Sequence, residues 1–182
     1  VDGRVDAFVI GSELIGLTKV NDGASSSRSF PAVDALVSLA ATVKGILGSG
    51  VKVTYAADWS EYHHTEDGWY NLDPLWASSD IDFVGIDSYF PLTDHPQADY
   101  DIQEIIDGWT EGEGYDWVYS DPERTTQTAL SAAYAWKNIA WWWSNTHTNP
   151  DSSATGWTPE SKKIWFTEYG FPSVDGASNQ PN

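Results

Sequence analysis

A chain of 182 residues has room for one ordinary domain, and 41% hydrophobic content is enough to bury a core, which excludes general disorder. The 27 acidic residues against 9 basic ones give a net charge of -18, which argues against nucleic acid and anionic membrane surfaces as partners. Cysteine and methionine are absent, so there is no disulfide framework, thiolate metal site or cysteine nucleophile. No run approaches the ~18–20 apolar residues of a membrane span, and no signal peptide is visible. Without Met at position 1, the chain reads as a piece of a longer product.

Val5 to Ile10, closed by Gly11, reads as a buried strand. Phe30 to Leu47 reads as a helix, with Ser29 as N-cap, Pro31 in the first turn and Gly48 at the end. Val51 to Ala56 and Asp82 to Asp87 read as further strands. Residues 91–124 form an acidic, irregular excursion with a short helix around Ile102 to Trp109. Thr125 to Trp143 reads as a longer, alanine-bearing helix, 144–160 as a loop and Lys163 to Thr167 as a fourth strand. Residues 172–182 read as a loose tail. Strands alternating with helices imply parallel pairing and an α/β architecture. The glycine-rich nucleotide-binding patterns are absent.

Each predicted strand is followed by a carboxylate. The sequences are Gly11-Ser12-Glu13, then Ala57-Asp58-Trp59-Ser60-Glu61-Tyr62, then Asp87-Ser88-Tyr89-Phe90, and lastly Glu168-Tyr169-Gly170. In parallel sheets and barrels that end of the strand is where active sites are built. Paired carboxylates near aromatic rings suggest glycoside chemistry, since sugars stack their apolar faces on Trp and Tyr. Glu13 and Glu168 are the natural pair, each held directly after a strand. No Gly-x-Ser-x-Gly elbow supports a serine hydrolase. Adjacent His63 and His64 suit one metal ion poorly, and no His-Glu-x-x-His occurs. No metal and no cofactor is expected, and His95 and His147 read as surface residues.

Phe8-Val9-Ile10-Gly11-Ser12-Glu13-Leu14, Phe83 to Leu92, and Trp165-Phe166-Thr167-Glu168-Tyr169-Gly170-Phe171 resemble the signatures of strands 4, 6 and 7 in retaining (β/α)8 glycoside hydrolases. More closely, they resemble the TIM-barrel-like glycoside hydrolase domain of phage and gene transfer agent tail (baseplate hub) proteins, over about Val5 to Ser173. The resemblance implies Glu13 as acid/base and Glu168 as nucleophile. It implies Asp58, Trp59, Asp87 and Tyr89 as a sugar-binding floor, with Ser12 and Tyr169 beside the two glutamates. Many such enzymes carry Asn at the position of Ser12, where it meets the sugar 2-hydroxyl.

The fold class expected is therefore α/β, a (β/α)8 TIM barrel of which residues 1–182 hold about strands 4 to 7. A barrel allots ~31 residues to each β/α unit, whereas Glu13 and Glu168 lie 155 positions apart. The excess is assigned to insertion, chiefly the excursion at about 91–124. Trp59, Trp69 and Trp76 are expected to line a sugar platform, and Trp136 and Tyr134 to fill the core. At least one of Trp141, Trp142 and Trp143 is expected there too. Trp109, Tyr115, Trp117 and Tyr119 either line a cleft or anchor the excursion. The expected function is retaining hydrolysis of a cell-wall or surface polysaccharide in a phage-tail-like particle, with other tail or baseplate proteins as partners. The alternative is a carbohydrate-binding or structural tail module with little catalysis.

Overall fold

The computed structural model describes residues 5–95 and 101–181. They fall into two compact units. The first holds the residues as far as Asp87 together with Asn145–Thr167. The second holds those from Ser88 to Ser144 together with those from Glu168 onward.

The first unit is built on a four-stranded parallel sheet. Its strands are β1 (Ala7–Ser12), β2 (Lys52–Asp58), β3 (Phe83–Ser88) and β6 (Lys163–Tyr169), in the order β1-β2-β3-β6. The first three start, and all four end, one to two residues later than the sequence suggests. From Val53 to Asp58 and from Val84 to Ser88 every residue is buried. Consecutive burial means both faces are covered, as in a parallel α/β sheet. The outer strands differ. Phe8 and Val9 on β1, and Trp165 and Phe166 on β6, are 42–45% exposed. Neighbours in sequence point to opposite faces, so each outer strand is open on both sides. No closed barrel forms among the described residues.

Two short helices, α1 (Ile15–Thr18) and α3 (Asp73–Ala77), flank the long α2 (Pro31–Leu47) and β2 in sequence. Pro31 starts α2, Asp34 lies in its first turn and Lys44 in its last, each suited to the helix dipole. Val33, Leu36 and Ala40 form its buried stripe. The N-cap is Phe30, with no side-chain cap bond. Ser29, expected in that role, sends its hydroxyl to Asp22 Oδ2 at 2.9 Å. Gly85 is required where it stands: a Cβ there would lie 2.2 Å from the Tyr55 carbonyl oxygen.

Trp69 and Trp76, expected on a sugar platform, are instead core residues. Both are buried, and Trp76 Nε1 donates to the Tyr62 carbonyl at 3.0 Å. An indole can fill a core if its N–H finds an acceptor there. His147, expected at the surface, is also buried. Its Nδ1 pairs with Asp73 Oδ2 at 2.8 Å, and its ring stacks on Tyr70 at 4.3 Å between centroids. His63 and His64 lie in the same buried cluster. No group of three or more His, Cys, Asp or Glu is placed to hold a metal among the described residues.

The second unit contains α4 (Ile102–Asp107), β4 (Trp117–Tyr119), β5 (Gln127–Ala129) and α5 (Ile139–Ser144). The described part of the excursion is thus more ordered than its composition suggests. The expected helix from Thr125 to Trp143 is replaced by β5, a 3₁₀ turn at Ala132–Tyr134 and the short α5. Alanine content favours a helix only weakly. Thr125-Thr126-Gln127-Thr128 suits an extended chain, and β4 supplies the antiparallel ladder, pairing Val118 with Thr128. Trp142 is fully buried on α5, whereas Trp136 and Tyr134 are half-buried. Residues 172–181 are not a loose tail. Leu92 N donates to Ser178 O at 2.7 Å, and Asn179 Nδ2 to Thr93 O at 2.8 Å. No helix among the described residues is long and apolar enough to cross a membrane.

Candidate functional site

β1 ends in an irregularity. Val9 pairs with Thr54 but Ser12 pairs with Ala56, so β1 spends one residue more than β2 over the same stretch. Such a bulge re-aims the side chains that follow it. Glu13 comes directly after it, exposed, with φ at +50°. Its amide donates to the Ala56 carbonyl of β2 at 2.8 Å.

The end of β3 is a bracing point. Asp87 is fully buried, with Oδ2 accepting from Ser12 Oγ at 3.1 Å and Oδ1 from Thr167 Oγ1 at 2.6 Å. The carboxylate thus links β1, β3 and β6 from the inside. Asp58, at the end of β2, is also buried, and its Oδ1 takes both the amide and the hydroxyl of Ser60, at 2.7 and 2.5 Å. Trp59 is half-buried beside it in sequence. Asp58 and Asp87 therefore shape the strand ends, and Ser12 brings its hydroxyl to Asp87.

Behind β1 lies a network that strand-end reasoning missed. Glu61 is fully buried, and its Oε1 accepts from Thr18 Oγ1 at 2.5 Å and from the Tyr55 hydroxyl at 2.9 Å. The Tyr55 oxygen accepts in turn from the Leu14 amide at 2.7 Å. Burial pushes the Glu61 carboxyl above the ordinary carboxylate range, although the bonds from Thr18, Tyr55 and the Asp58 amide oppose this. Burial, with Glu61 close by, raises the Tyr55 phenol as well. The visible signal was Glu61 in an otherwise polar turn, but polarity alone did not separate a buried acid from a solvated one.

In the second unit, Tyr89 and Glu168 come together. The Tyr89 hydroxyl donates to Glu168 Oε2 at 2.7 Å. Glu168 is exposed at the end of β6. The next residue, Tyr169, is 62% exposed and stacks on Trp109, with centroids 6.2 Å apart and planes 20° from parallel. Phe171 meets the edge of Tyr169 at 6.3 Å, and Phe90 that of Trp109 at 6.2 Å. Successive strand residues face opposite sides. One side of the strand end therefore carries the Tyr89–Glu168 pair, and the other an aromatic cluster that anchors the excursion through Trp109.

A cavity of about 510 Å³ also lies within this unit, walled by Thr93, Glu104, Glu113 and Lys137 among others. Lys137 is buried and donates to the carbonyls of Pro91, Gly108 and Glu111, at 2.9, 2.5 and 2.6 Å. Burial lowers its ammonium pKa to about 8. Three carbonyls satisfy its three donors, so it staples the excursion together.

The family model described as the GTA TIM-barrel-like domain, GTA meaning gene transfer agent, matches residues 1–182. The chain belongs to that family. No curated protein and no solved structure matches it. A GTA TIM-barrel-like domain is consistent with a virion-like location in a gene transfer agent particle.

Proposed function

We propose that this GTA TIM-barrel-like domain is a retaining glycoside hydrolase acting on a cell-wall or surface polysaccharide. Glu13 is its acid/base and Glu168 its nucleophile. The observation that carries this reading is the hydrogen bond from Tyr89 to the exposed Glu168 at the end of a parallel strand. A carboxylate with one oxygen held by a phenol keeps the other free to attack. In this mechanism Glu13 protonates the glycosidic oxygen while Glu168 attacks the anomeric carbon. Water then hydrolyses the glycosyl-enzyme with Glu13 as base, which requires carboxyl groups ~5–5.5 Å apart. The open faces of β1 and β6 support a further part of the proposal: these four strands are a section of a (β/α)8 barrel whose remaining strands pair at both edges.

A second reading, a glycan-binding tail module without hydrolysis, is favoured by Ser12. Its hydroxyl is spent on Asp87 rather than standing where an Asn would meet the sugar. A panel of polysaccharides and mixed glycans separates the two readings. Glu13→Gln and Glu168→Gln are each expected to lower hydrolysis by at least ~10³-fold while the melting temperature stays within a few degrees. Equal turnover by wild type and the double variant rejects hydrolysis by this pair, and binding without turnover supports the module.

A further inference from the structure

Glu13 adopts the left-handed backbone region, with φ at +50°. A residue with a Cβ enters that region at a cost and stays only where its surroundings hold it. Both peptide planes beside the Glu13 Cα are held from β2. The preceding plane is tied through the Glu13 amide to Ala56 O at 2.8 Å. The following plane is tied through the Leu14 amide to the Tyr55 hydroxyl at 2.7 Å. Fixing both planes fixes φ and ψ, and with them the direction of the Cα–Cβ bond.

The second tie depends on Glu61. A phenol oxygen that accepts from Leu14 must point its own proton elsewhere, and it points at Glu61 Oε1, 2.9 Å away. Thr18 donates to the same oxygen and the Asp58 amide to Oε2, at 2.5 and 3.3 Å. Glu61 is thus held by three earlier residues, Thr18, Tyr55 and Asp58. Gly11 lets the Tyr55 ring approach, since a Cβ there would lie 3.3 Å from Tyr55 Cε2. A buried carboxylate is expensive to maintain. What it supplies is a fixed proton direction at Tyr55, and so a fixed acceptor for Leu14.

We propose that Tyr55 and Glu61 are positioning residues that lock Glu13 in its left-handed conformation and thereby aim its carboxyl. The catalytic consequence rests on reading Glu13 as the acid/base, while the lock itself does not. The test compares melting temperatures of Glu13→Gly and Glu13→Ala, each made in wild type and in Tyr55→Phe. Glycine enters the left-handed region freely and alanine does not. In wild type, Glu13→Gly is expected to melt about 2–4 °C above Glu13→Ala. In Tyr55→Phe the unlocked backbone relaxes, and the advantage is expected to fall below about 1 °C. An advantage absent from wild type, or equal in both backgrounds, overturns the lock. If Tyr55→Phe does not fold, Glu61→Gln serves as the second background, with the same two outcomes. On a hydrolysed glycan, Tyr55→Phe is expected to lower kcat about tenfold with KM within about twofold. A loss confined to KM overturns the aiming role. If wild type hydrolyses no glycan, the hydrolase reading fails and the melting comparison alone decides the lock.

Discussion

Tyr89 and Glu168 form the contact on which the proposed hydrolysis rests. The phenol donates to one carboxylate oxygen at 2.7 Å. A hydrogen bond to a charged group contributes about 1.5–3 kcal/mol when well formed, and less where water competes. Tyr89→Phe is therefore expected to reduce kcat about tenfold. Because Glu168 is exposed, the same change should move the melting temperature by less than about 2 °C. Steady-state kinetics beside a thermal melt check both expectations. A melting loss equal to that of a core substitution would show that the pair serves the fold instead. Asp87 shows the opposite balance. Buried, with both oxygens engaged by Ser12 and Thr167, it braces β1, β3 and β6 at the position that the family resemblance implies as part of a sugar-binding floor. Strand-end position was legible in the sequence, but the inward or outward direction of each acid was not. That direction follows from the bulge before Ser12 and from the pairing of Asp58 with Asp87 across β2 and β3.

The central strands of the sheet leave no spare volume. At Gly85, the Tyr55 carbonyl, Thr54 Oγ1 and Thr167 Cγ2 close over the space a Cβ would fill, at 2.2, 3.1 and 3.2 Å. Gly85→Ala must push backbone apart, and overpacking of this kind costs about 1–3 kcal/mol. Denaturant unfolding should show this loss with an unchanged slope. A stability within about 0.5 kcal/mol of wild type would mean the strands separate more easily than their packing implies. Trp76 on α3 is fully buried against Tyr55, with ring centroids 6.2 Å apart. Trp76→Ala should cost about 3–5 kcal/mol by the same measurement. The elements themselves were readable where periodicity and end signals agreed, as in α2 and the four parallel strands. They were misread where alanine content stood in for packing. The stretch from Thr125 to Trp143 splits into β5, a 3₁₀ turn and α5 because β4 offers hydrogen bonds that outweigh a weak propensity.

At the scale of the whole molecule, the net charge of -18 and the buried acids act in the same direction. Burial raises the carboxyls of Glu61 and Asp73 above the ordinary range. An acid whose pKa is higher folded than unfolded contributes stability that is fully present below its unfolded value. That contribution is lost as pH rises through the folded value. Lowering the pH from 7 to about 5 should therefore stabilise the protein, and relief of acid–acid repulsion adds to the gain. Asp82 reverses the trend lower down. Burial raises its carboxyl, but the bonds from Lys44, the Val53 amide and Lys52 together hold it below the ordinary range. Its contribution is present above its unfolded value of ~4 and is lost as pH falls through its folded value. Melting curves across the pH range should peak near pH 5. A peak above pH 7 would show that the buried acids are not the dominant titrating groups.

The amino-acid sequence alone determined the class of the fold, the succession of its parallel strands along the chain, the long helix and the acid at the end of each strand. These are local properties, set by short apolar runs, end signals and the two-residue period of a strand. It also carried the resemblance that the family match supports at the level of a GTA TIM-barrel-like domain. Tertiary structure decided which side of the strand ends each group occupies. It took Trp69, Trp76 and His147 inward, made Asp87 a brace, docked Ser178 and Asn179 onto Leu92 and Thr93, and joined Tyr55 to Glu61. Burial and hydrogen-bond partners belong to pairs of residues far apart in the chain. No composition or spacing encodes them until the strands lie side by side.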